Sequence, residues 1–323
     1  MVALPTGTPT AGAVKRARGG IHRMTPQRIF FLCVFLGLPL IIYVVFVVSP
    51  FLQAFWYSFT DWRGVSSNQE FIGLDNYKEL FLDGTFRKGL LHNVLFLLFI
   101  PVIVIVLSYT LAIMVTVGGD SRGEIKGIKG ASVYRVISFF PYVIPAVVIG
   151  ILFAFIYMPG GGLLNGLLGL VGIDVNIAWL GDTRFALAAI GLAVVWGMVG
   201  FYMVLFVAAI KAVPSEVIEA ARLDGAGRAR LAVQIILPII RENVSTAAVY
   251  LGIMALDMFI YVNVMTPLGG TAKSTEVVSR YLYETAFQKS EFGMASAMGV
   301  VMALLTLIMA GIAQLLTRKK DDE

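Results

Sequence analysis

Apolar residues gather along the chain in six long stretches, at about 29–52, 89–117, 136–158, 185–208, 243–265 and 295–316. At 1.5 Å of rise per residue, about 20 such residues cross the ~30 Å hydrocarbon core of a bilayer, and every stretch reaches that length. The pattern predicts an all-α, polytopic integral membrane protein with six transmembrane helices, because a helix satisfies its own backbone groups in lipid. The first stretch follows a basic segment and has the outline of a secretory signal, but its 24 residues exceed a signal core. The aromatic run from Phe51 to Trp62 behind it offers no small-residue cleavage site, so it is read as a retained span.

The polar segments divide the chain. Residues 1–28 form a basic tail rich in Thr, Gly, Ala and Pro and are read as disordered. Residues 29–88 hold the first span and a long loop, 89–317 the remaining spans as a core, and 318–323 a charged tail. Of the 25 Lys and Arg, 17 fall on the side of both termini and 8 on the other. Positive charge marks the cytoplasmic side, which places both termini inside and the loops 53–88, 159–184 and 266–294 outside.

One inner segment, 214–241, is polar without being loop-like. Pro214 suits a first helical turn, and Ser215, Glu216 and Glu219 bring acceptors and negative charge to that helix start. Asp224-Gly225 stops the helix, since glycine accepts the left-handed conformation that ends one. Residues 229–236 form a second short helix, and Pro238 marks the junction with the fifth span. A rigid helix–turn–helix on the membrane surface follows, with the small residues Ala220, Ala221, Gly225 and Ala226 permitting close approach. An amphipathic interfacial turn without a partner is the other reading of the same residues.

Composition narrows the class. With 58% hydrophobic and 14% charged residues, the chain cannot cover a water-soluble globule of 323 residues. The net charge of +5 is explained by membrane topology rather than by nucleic acid. The single Cys33, in an apolar run, excludes an internal disulfide framework and a cysteine metal cluster and is read as packing. No catalytic or metal-binding constellation is present: His22 and His92 are far apart. Gly118–Glu124 lacks the Lys-Ser/Thr of a phosphate loop, and Gly269–Thr275 lacks its second glycine, so neither is a nucleotide site. Energy for any pumping must come from another chain.

The stretch Glu219-Ala220-Ala221, three residues, Gly225, then Leu237-Pro238 resembles the cytoplasmic loop of permease subunits in binding-protein-dependent ABC importers. Phe71-Ile72-Gly73-Leu74-Asp75-Asn76-Tyr77, Tyr134-Arg135 with Pro141-Tyr142 and Pro145, Trp196 with Gly200-Phe201, and Thr266-Pro267-Leu268-Gly269-Gly270 are similar to the maltose-type, carbohydrate-uptake branch. The resemblance runs from about residue 29 to the end. It implies the fold of a type I ABC importer permease in a bacterial cytoplasmic membrane. The implied assembly holds a second related permease, two ATPase subunits that carry ATP and Mg, and an extracytoplasmic solute-binding protein. No cofactor is implied in this chain, and the solute is a carbohydrate. The ATPase docks on the loop through Glu219, Ala220, Ala221, Asp224, Gly225, Ala226, Leu237 and Pro238. The sequence departs from the family at Ala229 and Ala232, where aromatics are usual, and at Glu242-Asn243, where a proline is common.

Three residues are candidates for the solute path. The resemblance implies that Tyr142 lines the pocket, helix packing being its other reading. Trp196 can stack on a sugar ring or pack between helices. Asp257, a charged group within the fifth span, either accepts from sugar hydroxyls or holds the helix against the partner permease. Glycerol-phosphate import stays open as an alternative. An ion-coupled secondary transporter needs intramembrane acids in two repeated halves, and one acid and no repeat are found.

Overall fold

The computed structural model describes residues 26–64, 69–117, 128–173 and 176–318. The basic tail up to residue 25, the glycine-rich Gly118–Glu124 and the charged end from residue 319 lie outside the described residues. The chain divides into two compact units between Leu52 and Gln53.

The first unit is most of helix α1 (Phe30–Tyr57), on which Cys33 is exposed. Its turns widen at Cys33–Gly37 and Val44–Val48, just ahead of Pro39 and Pro50. A proline has no N–H for the carbonyl four residues back and its ring crowds that carbonyl, and a widened turn relieves both effects.

The second unit holds α2 (Asp75–Leu82), α3 (Gly84–Val117), α4 (Ala131–Val143), α5 (Ala146–Ile156), α6 (Leu163–Leu170) and α7 (Ala186–Lys211). Then come α8 (Ser215–Leu223), α9 (Arg228–Ile239), α10 (Arg241–Leu256), α11 (Phe259–Met265), α12 (Val278–Tyr283) and α13 (Phe292–Arg318). No strand occurs among the described residues, only an isolated bridge between Thr60 and Phe71. Helices α1, α3, α7 and α13 are each long and apolar enough to cross a membrane. The bent pairs α4–α5 and α9–α10 bring the number to six when each counts as one span.

Two expected continuous spans are broken. The third bends by 97° between α4 and α5. Ile144 precedes Pro145 and is forced into extended backbone, φ −76° and ψ 129°, so the helix cannot run through. The fifth, expected over 243–265, stops at Leu256 and restarts at Phe259, with Asp257 non-helical at φ −108° and ψ 79°. The Leu256 carbonyl freed by the break accepts a hydrogen bond from Asn93 Nδ2 at 2.8 Å. Asn93 Oδ1 in turn accepts from the Val278 N–H at 2.9 Å. A buried backbone oxygen in an apolar layer needs such a partner, and one side chain on α3 supplies it.

The central column is α7, more than half of whose apolar window is buried. Small residues at Ala186, Ala189, Ala193, Gly197 and Gly200 recur at helical spacing and let neighbours approach its backbone. Ser108 on α3 donates to the Val199 carbonyl at 2.8 Å.

At the end opposite the 214–241 loop, buried charge ties the chain together. Glu276 and Arg280, almost fully buried, form a two-pronged ion pair, and Arg280 also reaches Glu284 at 2.7 Å. Lys273 adds contacts to Glu276 at 3.2 Å and Glu284 at 3.4 Å. Removing one member of such a pair strands the other charge in a dry site, which costs about 3–5 kcal/mol, so these residues act as one unit.

Nearby, Asp83 caps α3 by accepting from the Thr85 and Phe86 N–H groups and also accepts from the Tyr281 hydroxyl. Burial pushes its carboxyl up, but the Tyr281 hydroxyl and the two amides outweigh that and hold it below the usual 3.8. A folded-state value below the unfolded one means stabilisation that is present above about pH 4 and lost as pH falls through the folded value. The melting temperature of the solubilised protein is therefore expected to fall more steeply below pH 4 for the wild type than for Asp83→Asn. Parallel curves would show that the ionised carboxylate contributes nothing there.

Candidate functional site

The 214–241 segment folds as two helices whose inner faces belong to the core. Ile218 and Ala221 from α8, and Leu231 and Ile236 from α9, are buried in the cluster that α3 and α7 build. Helix α8 ends in a Schellman motif: the Gly225 N–H reaches the Arg222 carbonyl at 3.0 Å and the Ala226 N–H the Ala221 carbonyl at 2.9 Å. Gly225 sits at φ +80°, the left-handed region that the Asp224-Gly225 reading anticipates. The start of α8 differs from expectation. Pro214 is the residue before the helix, extended at φ −55° and ψ 133°, and no side chain caps the first turn. With proline in the capping position there is no side-chain acceptor, and Glu219 lies mid-helix.

The small residues serve two purposes. Ala220 and Gly225 are exposed, whereas Ala221 is buried within the chain and its smallness serves internal packing. Glu219, Ala226 and Leu237 are half-buried, and Asp224 and Pro238 exposed. Ahead of Pro238 the turns widen again, over Leu231–Ile236. There the Ala232 carbonyl accepts both the Leu237 N–H and, at 2.7 Å, the Tyr109 hydroxyl. Ala232 is thus a buried position, not a contact face. Ala229 is exposed beside a groove of about 310 Å³ between α3 and α9, lined by Ile113, Met114 and Val117. Leu223, 89% exposed at the tip of α8, escaped the sequence reading. The signal for it exists: it lies five residues past the core residue Ile218, about 140° around the helix, and so opposes the buried face.

From α9 the chain bends by 76° at Ile240 directly into α10. Asn243, Thr246, Tyr250 and Ile253 on α10, with Asp257 just past its end, are exposed and recur at three- and four-residue spacing, all but Ile253 polar. The open face of α3 is different in kind: Leu98, Phe99, Val102, Ile103, Val106 and Leu107 are all apolar. A polar stripe of this length does not suit hydrocarbon and has to meet water, solute or another protein.

Aromatic residues adjoin the stripe. Tyr142, 39% exposed beside the α4–α5 break, stacks on Phe201 of α7 at 4.4 Å between ring centres. Tyr202, buried at this crossing, lies close to the phenols of both Tyr142 and Tyr250. Tyr142 and Tyr250 therefore belong to one region, and Tyr250 was not among the sequence candidates. Trp196, also 39% exposed, meets Phe153 edge-on at 5.4 Å, so it packs between helices and keeps an open face. Asp257 is exposed at the α10–α11 break and, among the described residues, makes no ion pair.

Comparisons with known proteins bear on the family and the fold. Residues 125–322 match the family described as "Binding-protein-dependent transport system inner membrane component". The diacetylchitobiose uptake system permease protein NgcF of Streptomyces coelicolor is 48% identical over 320 residues, 96% of this chain and 91% of the relative. The probable ABC transporter permease protein YurN of Bacillus subtilis is 36% identical, over 84% of this chain and 91% of the relative. Among solved structures, a bacterial ABC transporter that imports the acidic polysaccharide alginate contains a chain of the same fold. Its TM-score is 0.76 at 22% identity, covering 91% of this chain and 97% of that chain.

Proposed function

The chain belongs to the family of inner-membrane components of binding-protein-dependent transport systems, and from that membership we propose that it forms half the path of an ATP-driven carbohydrate importer. In this reading both termini and the 214–241 loop face the cytoplasm. A second permease completes the path, two ATPase subunits bind and hydrolyse ATP with Mg, and an extracytoplasmic binding protein delivers the solute.

The carrying observation is a continuity. A loop packed into the core leads through one bend into a helix whose open face is polar. Closure of the ATPases would pull on α8 and α9 as one body, because Ile218, Leu231 and Ile236 fix them to the core. The pull would reach α10 at Ile240 and change the facing of the path, as rigid-body rocking does in transporters. Exposed Val217, Ala220, Leu223 and Asp224 would meet the ATPase, with Glu219 as its charged anchor.

On the path, Tyr142 and Tyr250 offer ring faces to a sugar, and Asp257 accepts its hydroxyl or amide protons. The relative at 48% identity makes diacetylchitobiose the first solute to test. Purification of the tagged chain from native membranes is expected to bring a second permease and an ATPase whose activity rises with binding protein and disaccharide. A chain that purifies alone and moves solute without ATP would contradict the assignment.

A further inference from the structure

Within the proposed importer, we infer that this half of the path accepts uncharged glycans, or glycans bearing an ammonium group, and rejects carboxylated or phosphorylated ones. The inference rests on where charge is absent. Along α4, α5, α7, α10 and α11 the only cations stand at the loop end. They are Arg135, whose Nε donates to the Ala131 carbonyl, Lys211 as the last residue of α7, and Arg241 as the first of α10. At the other end, Arg184 precedes α7 and is forked onto Asp182 at 2.6 Å. From Arg241 to Asp257 the chain rises about 24 Å without another positive charge.

Between those ends the open polar groups are Tyr142, Trp196, Thr246, Tyr250, Asp257 and Asn263, none of them a cation. A carboxylate or phosphate entering this layer loses hydration and finds no cation to offset the loss. It also meets the one charged group present, Asp257, which carries its own sign. An uncharged glycan meets the opposite situation. Its apolar ring faces stack on the tyrosines, and its O–H and N–H groups donate to the unpaired Asp257. The fold shared with the alginate importer therefore does not carry over that transporter's acidic solute.

The test compares diacetylchitobiose with its aldonic acid, made by oxidising the reducing end, in proteoliposomes of the complete importer with its binding protein. The binding protein's own preference is the same for every permease variant. It cancels when the acid-to-neutral uptake ratio of a variant is divided by that of the wild type. Asp257→Asn is expected to lower neutral uptake, since it weakens an acceptor for the glycan, and to raise the acid-to-neutral ratio about tenfold. Asp257→Glu should leave the ratio unchanged. A ratio unmoved in Asp257→Asn overturns the inference. So does loss of both uptakes in an assembled complex, which would make Asp257 a lock between permeases. Failure of the wild type to take up either sugar would instead contradict the importer reading itself.

Discussion

Gly200→Ala is expected to remove most of the folded protein from the membrane. A Cβ at this position falls 1.6 Å from the Ser138 carbonyl oxygen, 2.3 Å from its carbon and 2.8 Å from the Phe139 nitrogen. All three are backbone atoms, so no side chain can turn away. Helix α4 would have to retreat by roughly 1.5 Å, breaking the Tyr142–Phe201 stack on the way. Overpacking of this kind costs more than about 3 kcal/mol, a large share of ordinary domain stability. Gly197→Ala is the control, since its Cβ meets the flexible Ile149 Cδ1 at 3.1 Å and the Tyr261 hydroxyl at an ordinary 3.9 Å. Fluorescence-detected size exclusion of detergent extracts should show a monodisperse peak for Gly197→Ala and a peak below about a fifth of wild type for Gly200→Ala. Equal peaks would mean that α4 and α7 do not cross this closely.

Leu223→Asp and Glu219→Lys are expected to uncouple the protein while leaving it folded. Leu223 is 89% exposed, so its loss should change the melting temperature little. Burying a leucine against a partner is worth about 1.5–3 kcal/mol, and placing a carboxylate there adds a desolvation cost. ATPase affinity should fall at least about 30-fold in Leu223→Asp. Glu219→Lys should abolish uptake with membrane insertion unchanged. Titrating purified ATPase onto the permease pair separates this from misfolding. Wild-type affinity in both variants would remove α8 from the interface.

Much of this architecture was legible in the chain. The apolar stretches located the spans, and Asp224-Gly225 located the turn, because left-handed backbone and helix stops carry local signatures. Pro145 is a local signal against an uninterrupted third helix, though not for a bend near a right angle. The break at Asp257 was not legible. No glycine or proline stands there, and the partner for the freed carbonyl is Asn93, 163 residues away. Leu268, Ala272 and Lys273 adopt positive φ without being glycine, held by tertiary contacts that no local pattern encodes. Glu276, Arg280 and Glu284 were visible as four-residue spacings, but such spacing suits a solvated face equally well, and only the fold buries Glu276 and Arg280. The stripe on α10 could have been read from its three- and four-residue spacing. Average hydropathy over 243–265 hides it, since Tyr250 and Thr246 are outweighed by their apolar neighbours.

The most direct test of the coupling is accumulation of radiolabelled disaccharide in proteoliposomes of the complete importer, with ATP inside the vesicles and no ion gradient. ATP-dependent accumulation that disappears in Leu223→Asp, with the complex otherwise folded, is the expected result. Accumulation that needs no ATP, follows a proton or sodium gradient and vanishes in Asp257→Asn would contradict it and make the acid at the helix break the coupling site.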